Sequence, residues 1–126
     1  MPQTEINVFR TADRDVPLND WLRTLKTRFP KAHAKCLAAI LNLSQSGYAL
    51  RRPAADYLRD GIHELRTKSG GVNYRILYAF SGKNVAILTG GLTKTSKVPQ
   101  TDIELAIKRM ALVRKDTKKY TAEFEL

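Results

Sequence analysis

The 126 residues hold a single cysteine, Cys36, so no internal disulfide can form and no Cys-based zinc site can be assembled. It lies in AHAKCLAAIL, where a small buried hydrophobe is the expected role. No apolar run approaches the roughly 20 residues of a membrane span. The opening MPQTEINVFR lacks the basic-then-apolar pattern of a signal peptide, so a cytoplasmic protein with no membrane partner is expected. There is no pair of carboxylates spaced for a metal, no glycine-rich phosphate loop and no His–Cys cluster, so neither metal nor cofactor is expected. Secreted disulfide scaffolds, membrane proteins and P-loop enzymes are thereby set aside.

What the chain has is positive charge. Its formal net charge is +10, from 22 Lys and Arg against 12 Asp and Glu. Between Arg51 and Lys97 stand nine basic residues (Arg51, Arg52, Arg59, Arg66, Lys68, Arg75, Lys83, Lys94, Lys97) and only three acidic ones (Asp56, Asp60, Glu64). Such a concentrated field favours polyanions: RNA, DNA or an acidic protein. The length fits one domain, residues 1–126, and a 43% hydrophobic content suits an ordinary globular core.

Periodicity supplies the elements. Residues 6–10 alternate and suit a short strand. Leu18, Trp21, Leu22, Leu25 and Phe29 recur at helical spacing, with Asn19 or Asp20 to start the helix and Pro30 to close it. A second helix begins near Lys31, with Ala34, Leu37, Ala38, Ile40 and Leu41 as its expected buried face and Gly47 as its stop. A polar connection then leads to three strands, 62–67, 73–80 and 85–89, joined by short loops as an antiparallel meander. A last helix opens at Thr101, where Thr101 and Glu104 have capping-box spacing, and Ile103, Ala106, Ile107 and Met110 are its apolar face. KDTKKYTAEFEL has no clear period and reads as a tail.

In the middle strand Tyr74, Ile76, Tyr78 and Phe80 share a face that suits the helices, which sends Arg75 to the opposite face, expected to be open. Arg66 can stand beside it on the neighbouring strand. Two like charges side by side call either for Glu64 or for a bound phosphate between them. Lys68, Lys94 and Lys97 extend the basic surface. A nuclease built from these residues would use the RNA 2′-OH as nucleophile, with Arg and Lys stabilising the phosphorane and His63, Glu64 or Tyr78 moving protons.

The order of these motifs resembles a known family. WL…L at Trp21 to Leu25, Arg52-Pro53, LRDGIHELR, NYRILYAF, KTSKVP from Lys94 to Pro99, and Ala106 with Arg109 are similar to the RelE/ParE superfamily of toxins, in its HigB-like, phage-derived Gp49-like branch. The resemblance runs from about Ile6 to Arg109. It implies an α+β, RelE-like microbial RNase fold: an N-terminal helical hairpin on a small antiparallel sheet, plus a C-terminal helix. It implies the toxin of a type II toxin–antitoxin pair, an endoribonuclease that cuts mRNA on the ribosome without metal, and a HigA-like helix-turn-helix antitoxin as partner. Carried over by position, Arg66, Arg75, Lys94 and His63 would be catalytic, with Lys68, Lys97 and Arg52 holding RNA. Gly90-Gly91 departs from relatives that carry a His or an aromatic near there. Either the glycines serve a bulge or close approach, or a functional side chain is missing and activity is attenuated. A ParE-like gyrase poison and a non-catalytic nucleic-acid-binding module are the alternatives.

Overall fold

The computed structural model describes residues 3–94 and 96–125, the side chain of Lys94 excepted. The chain runs β1 (Glu5–Phe9), α1 (Pro17–Arg28), α2 (Pro30–Ser46), a 3-10 turn (Gly47–Ala49), β2 (Ala55–Arg59), β3 (Ile62–Ser69), β4 (Val72–Phe80), β5 (Val85–Lys94), α3 (Gln100–Lys115), α4 (Thr117–Tyr120) and β6 (Thr121–Glu123). One six-stranded sheet has the order β2-β3-β4-β5-β1-β6. Only β1 and β5 run parallel; the other neighbours are antiparallel. The fold is therefore α+β, consistent with the RelE-like class the sequence suggests. Among the described residues no helix is long and apolar enough to cross a membrane.

Prolines open both helices of the hairpin, because a proline in the first turn lacks only an N–H that would have no partner there. In α1, Leu18, Leu22 and Leu25 recur at helical spacing and are buried. The expected face of α2 needs correction. Ala32, Cys36, Ile40 and Leu43 point inward, whereas Ala34, Ala38 and Leu41 are exposed. Ala and Leu lie almost all round this helix, so its pattern selects no stripe and docking on β3 and α1 decides.

The sheet is covered on both faces. Tyr74, Ile76 and Tyr78 pack with Leu22, Leu25, Cys36 and Ile40 under the hairpin. Leu77, Ala79, Ile62 and Ile87 pack with Ile103, Ala106, Met110 and Val113 of α3. The face expected to be open is thus covered by α3, with clefts left beside the helix at β2–β3 and along β5.

Four more expectations change. Residues 55–59 form an edge strand rather than a connection, since Asp60 (φ 50°) and Gly61 (φ 82°) make a tight turn back into β3. Strand β5 runs five residues further than expected, to Lys94. Helix α3 starts at Gln100 after Pro99, and no side chain caps it, so the Thr101–Glu104 box is not formed. The supposed tail is ordered: β6 pairs with β1, and Tyr120 stacks on Phe9 with ring centroids 6.3 Å apart.

Candidate functional site

Antiparallel register puts Arg66 of β3 directly opposite Arg75 of β4. Glu64, two residues before Arg66, shares that face by strand alternation. Its carboxylate is buried at 2% exposure and gathers both cations. Arg66 donates from Nε (3.0 Å) and Nη2 (2.6 Å) to Glu64 Oε1, while Arg75 Nη1 stands 4.0 Å from Oε2. Among the described residues, Glu64 Oε2 and Arg75 Nε are buried without a hydrogen-bond partner. A buried polar atom left unpaired costs about 1 to 3 kcal/mol, so the arginine–carboxylate cluster carries unused hydrogen-bonding capacity at this point of the sheet.

These three residues form one wall of a cleft of about 430 Å³. Its rim is basic: Arg52, Arg59 and Lys97 face it, together with the start of α3. Arg52 holds Asp56 at 2.9 Å, and the hydrogen bond from that guanidinium keeps the Asp56 carboxyl below its ordinary pKa. Arg59 Nε donates to Gln100 Oε1 at 3.0 Å, tying β2 to the first turn of α3.

Arg52, Arg66, Arg75 and Lys97 therefore meet at one cleft. Arg75 differs from expectation in being buried, at 7% exposure, because α3 covers its neighbours. Lys68 is exposed further along β3, outside the cleft wall. Lys94 pairs with Asn73 through its backbone, and its side chain lies outside the described residues. His63 is separated from the arginines. Alternation turns it to the hairpin side of the sheet, where it stacks on Tyr78 (5.1 Å) and meets Tyr57 edge-on (5.0 Å). Burial, reinforced by Arg51, lowers its pKa. Tyr78 is 1% exposed in the core under the hairpin, away from the arginine cleft, and burial pushes its hydroxyl up to about 12, so it stays protonated and cannot act as a base near neutral pH.

Asp56, Tyr57 and Arg59 reach the site through β2, whose five residues are too few for a period to mark them as a strand. The Asp60-Gly61 pair, a strong hairpin signal, was the clue that could have found them. Gly90 and Gly91 have a packing reason. Leu77 pairs with Gly90 and Tyr78 with Leu88, so Thr89 is the extra residue of a bulge. Thr89 O accepts from Arg109 Nη1 at 2.7 Å, and a Cβ at Gly90 would stand 2.7 Å from that same nitrogen. A Cβ at Gly91 would enter the ring of Trp21.

A sequence model of the family described as phage-derived protein Gp49-like (DUF891) matches residues 20–111, from the first helix to the last long one, and spans every residue of the cleft. No curated protein matches the chain.

Proposed function

We propose that this chain, which belongs to the phage-derived Gp49-like family of the RelE/ParE-like toxin group, cuts mRNA on the ribosome at the Arg66–Arg75 cleft. The family is a toxin-like module of toxin–antitoxin systems, which suggests an antitoxin as partner. A HigA-like helix-turn-helix protein is the antitoxin proposed here. The observation that carries the nuclease reading is the paired guanidiniums on one buried carboxylate, with Arg75 Nε and Glu64 Oε2 unpartnered at the wall of a basic cleft.

The chemistry follows from that arrangement. The RNA 2′-OH attacks the adjacent phosphorus and gives its proton to water as the P–O2′ bond forms. The P–O5′ bond breaks and the leaving oxygen takes a proton from water, leaving a 2′,3′-cyclic phosphate and a 5′-OH. Negative charge peaks on the phosphorane oxygens between those events, and Arg75 and Arg66 are the cations that would stabilise it. Glu64 sets their positions before substrate arrives, so little reorganisation is needed at the reaction. Arg52 and Lys97 hold the flanking phosphates.

The test is a reconstituted translation reaction with defined mRNA. Cleavage that needs ribosomes, and that Arg66→Ala abolishes, supports the reading. Intact mRNA alongside gyrase-dependent DNA breaks would replace it with gyrase poisoning, and neither activity would leave a binding module.

A further inference from the structure

On the other side of β2 lies a second cleft, of about 520 Å³, lined by Tyr48, Tyr57, His63, Arg51, Arg52 and the Leu50 region. Tyr48 and Tyr57 are 52% and 56% exposed, which is unusual for rings that are also held still. The Tyr48 hydroxyl donates to Gly82 O at 2.9 Å, and its ring stacks on Phe80 at 3.8 Å. The Tyr57 hydroxyl accepts from the Gly61 N–H at 3.0 Å, and its ring abuts His63. Both aromatics thus lose little further freedom on meeting a flat ligand. His63 has its pKa lowered, so near neutral pH it offers one donor and one acceptor rather than a charge. Asp56, the acid in this cleft, is already paired with Arg52.

We propose that this cleft binds a base of single-stranded RNA by stacking on Tyr57 and Tyr48, with Arg51 and Arg52 on its phosphates. The idea rests on the nuclease reading only for its position. Arg52, Asp56 and Tyr57 line both clefts, so a strand crossing β2 would leave a base here and a phosphate at Arg75. Stationary aromatic faces bordered by guanidiniums suit a single strand, whose bases expose their faces, and not a duplex, whose bases are already stacked.

The experiment uses the full chain and a single-stranded RNA hexamer containing 2-aminopurine, at low salt. Wild type should bind with quenching of the fluorophore. Tyr57→Ala should weaken binding about tenfold or more and lose the quench. Tyr57→Phe, which keeps the ring but loses the hydroxyl that accepts from the Gly61 N–H, should keep the quench with at most a few-fold loss of affinity, which separates stacking from a folding defect. No binding by wild type, equal affinity of Tyr57→Ala, or equal affinity for a duplex of the same sequence each overturns the proposal. Quenching by a protein that never cuts mRNA would keep the base cleft and discard the nuclease reading instead.

Discussion

Arg75 combines full charge with burial, and its substitution should therefore cost both activity and stability. Arg75→Ala leaves Glu64 with only Arg66, which is itself 38% exposed. Breaking a buried ion pair costs roughly 3 to 5 kcal/mol, and the surviving Arg66 contact places this case near about 3 kcal/mol. Urea unfolding should show that loss, and Arg66→Ala should lower stability by a similar amount, because it removes both hydrogen bonds that the buried Glu64 carboxylate accepts. Each should slow cleavage by about a hundredfold or more. A urea midpoint unchanged in either variant would contradict the burial argument. His63 gives a pH prediction. Its folded pKa lies below the ordinary 6.5, so the folded protein binds fewer protons than the unfolded chain in that range. Its stability contribution is full above about pH 6.5 and falls as pH drops through the lower, folded value. His63→Phe should flatten the fall of the urea midpoint between pH 7.5 and pH 5; an unchanged fall would show that other groups set it. The arginine pairing was legible in the sequence, because strand alternation and a short loop nearly determine which side chains are neighbours. The burial of Arg75 was not, since a period-2 pattern cannot tell which helix will close a face.

At the scale of elements, long periodic segments were readable and short ones were not. The hairpin helices and the first two strands of the meander stand close to where apolar spacing puts them, whereas β5 runs on to Lys94. Strand β2 has five residues and β6 has three, too few for a period to show against their charged neighbours. What orders β6 is non-local: Phe124 N donates to Ile6 O at 3.1 Å, and Arg10 Nη2 reaches Lys118 O at 2.8 Å, over a hundred residues away in sequence. Removing residues 116–126 should therefore do more than trim an end. It strips β1 of its outer neighbour, leaving an edge with unpaired N–H and C=O groups. We expect a lower urea midpoint and faster amide exchange in β1, with Tyr120→Ala giving a smaller change in the same direction because it removes only the stack on Phe9. Amide exchange in β1 that stays at the full-length rate after the deletion would mean that β6 adds no stability.

The whole molecule carries +10, yet overall charge and local charge predict different things. If the total field governs, any lost cation weakens RNA binding alike. If the clefts govern, position decides. Five cationic side chains line the Arg75 cleft against two carboxylates, so local potential there stays positive even with Glu64 and Asp56 ionised. Arg23 makes the comparison possible: it is exposed on α1 beside Asp20 and lies in neither cleft. Arg23→Gln and Arg52→Gln change the net charge equally. Each phosphate neutralised on a single strand contributes about 0.7 to the slope of log affinity against log salt. Titrating single-stranded RNA from about 50 to 200 mM salt, a range over which contacts of this kind weaken steeply, wild type should show a steep negative slope. Arg52→Gln should flatten it by about 0.7, whereas Arg23→Gln should shift affinity slightly and leave the slope alone. Equal slopes for both variants would return the binding to a diffuse field. A flat wild-type response would remove phosphate contacts from the account altogether.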